Sequence, residues 1–296
     1  MDTNFVLIQA SIVFNQQMSL FDDNIEDTKE GRNKAFRELF DTIIERKTIK
    51  AVSNGTENLI IYRTKLNKDL LYLQLARRKK IETYQLNNAE KDLINIPVDN
   101  YPPLDVFVNL AKQQFAIEYK TYILSLDAII SALNSVFRRV VKQCSVFFNT
   151  VDNISDFWSV VDKQEGVKEI SFDLTVPNIF GASDAAKQLV DGAKNDLNAD
   201  SISIGFKNEK GQLSANFIAM DSFVKYASRA GSWKLKIKKA GESKYKVIHS
   251  SDFSVKKTLD SSVIDLVKKV DSSGNIETQY LDNLIVFIEE LFKDEM

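Results

Sequence analysis

With 296 residues, 44% of them apolar, the chain can build one large domain or two ordinary ones, and its formal charge of −2 leaves nucleic-acid binding only to a local basic patch. The single cysteine, Cys144, excludes an intramolecular disulfide and a Cys-rich metal cage, and the single histidine, His249, excludes sites built on two histidines. No apolar run approaches the roughly 18 residues of a membrane span, and the N-terminus lacks the basic-then-apolar order of a signal peptide, so a soluble cytoplasmic protein without membrane insertion is expected.

In chain order, "NFVLIQASIVF" (4–14) has the apolar, β-branched content of a strand. After the acidic stretch "FDDNIEDTKE", the spacing of Ala35, Phe36, Leu39, Phe40 and Ile43 predicts a helix. Two alternating runs flank Asn54-Gly55, a pair that accepts positive φ, and predict a hairpin. "DLLYLQLARRKKIETYQL" continues as strand, and "DNYPPLDVFVNLAKQQFAIEY" reads as a second hairpin. "SLDAIISALNSVF" is helical, "VVKQCSVFF" strand-like, and "NISDFWSVVDKQ" a short helix capped by Asn153 or Ser155. Beyond residue 165 come the strand "VKEISFDLTV", the helix "ASDAAKQLVDGAKNDL", the strand "DSISIGFKN" and the helix "DSFVKYASRAG", then a Lys-studded hairpin, "SWKLKIKKAGESKYKVIHS". Ile276, Tyr280, Leu284, Phe287, Ile288 and Leu291 fall on one face of a terminal helix, expected to pack on the C-terminal sheet. The expected fold is α+β: two mixed units with mainly antiparallel sheets, 1–123 and 165–296, joined by a short helical bridge, 124–164.

Asp105 heads one run of the second hairpin, and Glu118 and Lys120 end the other, in the residue order of PD-(D/E)xK nucleases. A four-residue loop, "LAKQ", pairs Asn109 with Gln114, Phe107 with Ala116 and Asp105 with Glu118, bringing two carboxylates face to face. Mg²⁺ between them would activate water while the lysine steadied the developing charge. The simpler reading makes Glu118 and Lys120 the solvated side of a half-buried strand, with Val106, Val108, Phe115 and Ile117 as its core side. A slip of one residue would separate the acids, and the only candidates for a third acid on a helix ahead are Glu38 and Glu45. The expectation is therefore no resident metal or cofactor, and no catalytic set beyond the alternative Asp105, Glu118 and Lys120.

Lys234, Lys236 and Lys238 alternate with Trp233, Leu235 and Ile237, and Lys244 and Lys246 alternate with Tyr245 and Val247. Period two puts the five lysines on one face. Residues 232–257 carry eight lysines against Glu242 and Asp252, and such a ribbon suits phosphate contact. Arg77, Arg78, Lys79 and Lys80 form a second cluster, Arg138 and Arg139 a third. A solvated face that guards against edge-to-edge aggregation accounts for each run equally well. Cys144 reads as a buried small residue, Phe147, Phe148, Phe157 and Trp158 as core aromatics, and His249 as a core histidine.

The order of an opening strand unit, "YPPLDVFVNLAKQQFAIEY" followed by a helix, "VKEISFDLTVPN", a helix and "SISIGFKNEKGQL" resembles the RexA-like phage-exclusion proteins across residues 45–220. It is broadly similar in plan to the KwaB-like proteins of Kiwa defence. The resemblance implies intracellular antiphage defence of the abortive-infection type, with sequence-tolerant DNA binding by a homodimer coupled to a separate effector protein. It carries over no catalytic motif and no DNA-contact residue. A Mg²⁺-dependent nuclease and a protein-interaction subunit that docks through its terminal helix are the alternatives.

Overall fold

A computed structural model of the chain describes residues 2–14, 28–53, 55–87, 92–141, 144–176, 184–197, 199–214, 218–239, 241–273 and 278–293. The strands are β1 (Asp2–Phe14), β2 (Thr48–Ser53), β3 (Thr56–Lys65), β4 (Leu70–Arg77), β5 (Lys79–Asn87), β6 (Asp92–Asn100), β7 (Pro103–Asn109), β8 (Gln114–Glu118) and β9 (Cys144–Thr150). They continue as β10 (Gly166–Thr175), β11 (Ser201–Lys207), β12 (Gly231–Lys238), β13 (Lys246–His249) and β14 (Lys256–Asp260). The helices are α1 (Lys29–Arg46), α2 (Leu126–Val140), α3 (Ile154–Asp162), α4 (Asp184–Leu197), α5 (Ile218–Ala230), α6 (Ser261–Ser273) and α7 (Thr278–Glu290). The fold is α+β, and every strand ladder among the described residues is antiparallel.

The first sheet runs β14-β1-β8-β7-β4-β3-β2, with β9 also on β1. One edge of β1 pairs with β8; the other is shared, Asp2–Val6 with β14 and Ile8–Phe14 with β9. From Phe5 onward β1 is wholly buried, which explains a run too apolar to alternate. Helices α1 and α2 cover one face, where Phe36, Phe40 and Phe137 pack on Val6, Ile8, Val106, Val108, Phe115 and Ile117. Helix α2 starts where the Ser125 hydroxyl accepts from the Ala128 N–H. Helices α6 and α7 cover the other face, where Val263, Val267, Leu284 and Ile288 pack on Phe5, Leu7, Tyr72, Phe107 and Ala116.

The second sheet runs β11-β10-β12-β13. One face carries α3, α4 and α5, and its core centres on Phe157, Phe172, Phe223 and Trp233. At Gly231 a Cβ would stand 2.3 Å from the Asp173 carbonyl oxygen, so only glycine lets α5 turn straight into β12 against β10.

The segment 124–164 is no bridge: α2 lies on the first sheet, β9 belongs to that sheet, and α3 belongs to the second core. The terminal helix covers the first sheet, not the C-terminal one. Its stripe dictated that it bury against something, while its destination was set by a first sheet with an uncovered second face. Leu284, Ile288 and Leu291 are buried as expected, but Phe287 is 55% exposed. Ile276 and the Tyr280 side chain fall outside the described residues. The expected continuous strand across Arg77–Lys80 breaks at Arg78, separating β4 of the first sheet from the two-stranded β5-β6 ribbon. Strands β6 and β14 and helix α6 had no counterpart in the sequence reading.

Candidate functional site

The hairpin β7–β8 has the expected register: Asn109 opposes Gln114, Phe107 opposes Ala116 and Val106 opposes Ile117. One step further, Asp105 and Glu118 face each other, and the Asp105 backbone N–H donates to Glu118 Oε2 at 3.3 Å. Gln74 flanks Asp105 on β4, and Phe5 flanks Glu118 on β1. The expected solvation fails. Each acid is only 3% exposed, because α6 and α7 close over this face of the sheet.

Each carboxylate is compensated. Lys120 Nζ stands 2.6 Å from Glu118 Oε1, and Lys268 of α6 stands 2.8 Å from Asp105 Oδ2. The Tyr72 hydroxyl and the Gln74 amide donate to Asp105 Oδ1 at 2.7 and 3.1 Å. Burial, reinforced by the Asp105 carboxylate, pushes the Tyr72 phenol far above its usual range and fixes it as a neutral donor. Burial works against the charge on Lys120, yet the bond and charge of Glu118 outweigh it and hold the ammonium above its ordinary range. The result is a closed, charge-balanced cluster that fastens α6 to the sheet. A divalent ion could join the two carboxylates only by displacing lysines. Glu38 and Glu45 lie on α1, which covers the opposite face, and among the described residues no three His, Cys, Asp or Glu side chains stand together as ligands. Lys268 went unnoticed in the sequence because the short stripe of "SSVIDLVKK" gives no sign of which sheet it covers.

Among the described residues, no helix covers the face of the second sheet opposite α3, α4 and α5. This face bears Lys234, Lys236 and Lys238 of β12, Ser171, Glu169 and Asp173 of β10, and Ser203, Gly205 and Lys207 of β11. A Cβ added at Gly205 would meet nothing within 4 Å. Lys234 and Lys236 have no acidic partner among the described residues, whereas Lys238 stands 3.8 Å from Glu165 and Lys207 is 2.6 Å from Glu209. Lys246 opposes Ile237, so it lies on the core side of the edge and pairs with Glu242 at 3.1 Å. Lys244 sits in the bend before β13, outside the ladder. The pairing sets Val247 opposite Lys236 and His249 opposite Lys234, so these two residues, and not Lys244 and Lys246, share the lysine face. His249 is accordingly exposed, not core.

The other basic clusters divide. Arg77 donates to Asn58 Oδ1 at 2.9 Å, Arg78 stands 3.8 Å from Asp99, and Lys79 donates to the Tyr122 carbonyl at 2.9 Å. These side chains brace the root of the β5-β6 ribbon, and only Lys80 projects without such a partner among the described residues. Arg138 and Arg139 are exposed in the last turn of α2, where cations suit the helix dipole. Cys144 is half-buried, and burial raises its thiol to about 11, which suppresses thiolate chemistry. Phe148 and Phe157 are core, with Trp158 packed edge-on to Phe157. No helix among the described residues is long and apolar enough to cross a membrane. In comparisons with known proteins, the chain matches no family model and no curated protein.

Proposed function

We propose that the chain binds the phosphate backbone of nucleic acid, with little sequence preference, across the uncovered face of its second sheet. The observation that carries the reading is this face, where Lys234 and Lys236 make no ion pair within 4 Å among the described residues and stand among serines and a bare glycine, with Glu169 across from Lys236 and Asp173 at one end. Small polar neighbours let a phosphate chain approach closely, and the face carries no Phe, Tyr or Trp from these strands, its one aromatic ring being that of His249 at the edge, so electrostatics supplies most of the affinity. The resemblance of the sequence pattern to RexA-like proteins is what supports a setting in cytoplasmic antiphage defence, as a homodimer that signals to a separate effector. Light scattering on the purified chain tests the dimer. A double Lys234→Glu, Lys236→Glu variant tests the interface. DNA affinity falls alike across unrelated sequences, and the slope of log K against log salt flattens by about 0.9 per lost duplex contact. Unchanged affinity with an intact fold would remove this face from the binding surface.

A second reading, a Mg²⁺-dependent PD-(D/E)xK-type nuclease, is favoured by the register that sets Asp105 against Glu118, with Lys120 bound to it. Mg²⁺-dependent cleavage that disappears in Glu118→Gln while DNA binding persists would put this reading first.

A further inference from the structure

The second sheet meets the first unit through β12 and α5, which lie against β9, and the chain crosses between the two at a knot of backbone. There the Val151 N–H donates to the Leu7 carbonyl at 3.0 Å, the Leu7 N–H to Val255 at 3.1 Å, and the Val255 N–H to Val151 at 2.7 Å. Strand β11 lies two strands beyond β12, at the margin of the sheet.

The bonds that close the two ends of the β10–β11 ladder fix its phase. The Val176 N–H donates to the Asp200 carbonyl at 2.8 Å, and the Asn208 N–H to the Lys168 carbonyl at 2.9 Å. Ile202, Ile204 and Phe206 therefore bond to β10, while Ser201, Ser203, Gly205 and Lys207 turn their backbone N–H and C=O groups away from the sheet. No described strand pairs with that edge. Lys50 on β2, Lys246 on β13 and Lys256 on β14 guard other margins with charge. From Ser201 to Phe206, β11 has no charge, no proline and no bulge. Its apolar side is only half covered, with Ile202, Ile204 and Phe206 each partly exposed, and Leu197, where α4 runs toward the strand, is 77% exposed.

We propose that β11 pairs with β11 of a second copy, antiparallel across a two-fold axis at Ser203; the inference rests on the homodimer reading above and names its interface. In that register Ser203 faces its own copy, Ser201 faces Gly205 of the partner subunit, and the outward groups form about six backbone hydrogen bonds. The serines and the bare Gly205 leave room for the second backbone. On the other side, Ile202 comes opposite Ile204 of the partner subunit, which closes the half-covered apolar surface. The strand is also polarised. Asp196 and Asp200 precede it, while at its far end Lys168, Lys207 and Lys210 outnumber Glu209, so antiparallel pairing sets each acidic end beside a basic one. An unrelated strand would meet the same backbone groups; a copy of β11 brings the isoleucine pairs and the matching polarity as well. The two sheets then become one, with the lysine rows of the two β12 strands on the same face, five strand spacings or about 24 Å apart.

The test uses the full chain, for which light scattering should report a dimer. Ser203→Pro removes the N–H at the axis, which β10 does not use, so the monomer keeps its ladder and its circular dichroism. The dimer dissociation constant should rise about tenfold or more. In a Cys144→Ser background, Ser203→Cys should form an intermolecular disulfide under oxidised glutathione, because its Cα stands about 5.5 Å from its own copy. Ser201→Cys should not, since the two copies of that position are roughly 14 Å apart. A monomeric wild type would remove the homodimer reading and this interface together. A dimer that Ser203→Pro leaves as tight, or that shows no preference for Ser203→Cys over Ser201→Cys in cross-linking, would keep the homodimer and overturn the assignment to β11.

Discussion

Asp105 on the first sheet and Lys234 on the second both occupy polar positions in alternating strands, yet one is sealed from solvent and the other stands in it. The first sheet has helices on both faces, so its polar residues had to be neutralised in place by Lys120, Lys268, Tyr72 and Gln74. Among the described residues the second sheet has helices on one face, and Lys234 on the other face is left to water. Alternation in sequence thus marks which side of a strand is polar. Whether that side becomes a structural joint or a binding surface is decided by elements far along the chain.

The contrast can be broken at the cover of the first sheet, where the largest effect is expected. Leu284→Ala together with Ile288→Ala, both in the core beneath α7, should remove about 4 kcal/mol or more of stability, since each buried truncation costs about 2–5 kcal/mol. Urea unfolding measures this, and a midpoint close to wild type would mean that α7 is not the cover. Asp105→Ala comes next. It leaves the Tyr72 hydroxyl and Gln74 amide without their acceptor and should cost about 2–3 kcal/mol, while Lys268→Met, whose head is half in water, should cost about 1 kcal/mol or less. If Lys268→Met proved the more damaging, the cluster would owe its stability to the ion pair instead of the hydrogen bonds.

Between the sheets, Asp152 gives a pH signature. Its folded carboxyl keeps a proton up to about pH 7, while the unfolded one releases it near 4, so between these values the native state holds more protons. Stability should therefore fall as pH rises through this window, by at most about 1.4 kcal/mol per pH unit. Wild type should lose about 2 kcal/mol more than Asp152→Asn between pH 5 and 7. Parallel curves for the two proteins would show that Asp152 titrates normally. The smallest stability effect belongs to the open face: Lys234→Glu with Lys236→Glu should shift unfolding by no more than about 0.5 kcal/mol while DNA binding drops. A large loss of stability there would mean that the face is covered.

The hairpin that sets Asp105 against Glu118 was legible because loop length and alternation are local, and a four-residue loop fixes the pairing. The burial of that pair was not legible. It depends on α6, whose cover of β7 and β8 spans more than 140 residues of intervening chain. The same limit misplaced the terminal helix. The lysine ribbon was half legible: Lys234 and Lys236 follow strand alternation, but the turn length that reverses Lys246 is not written in the alternation itself. Asp152 carried no sequence signal, since a lone acid before a helix reads as a cap, and only the fold reveals that it lies against Trp233.

The knot of Leu7, Val151 and Val255 has a further consequence for how the molecule comes into being. The chain leaves the first sheet at Val151 and rejoins it at Val255, so everything between is an insertion with adjacent ends. During synthesis the first sheet lacks β14, α6 and α7 until the whole second unit has emerged. Phe5, Leu7, Tyr72 and Phe107 then have no helical cover, and Asp105 has no lysine from α6. The inserted unit holds its own core and can form during this interval, whereas the earlier sheet waits on the later chain. Translation that stalls after residue 255 leaves a polypeptide with one finished half and one exposed apolar face, the species for which chaperones would compete.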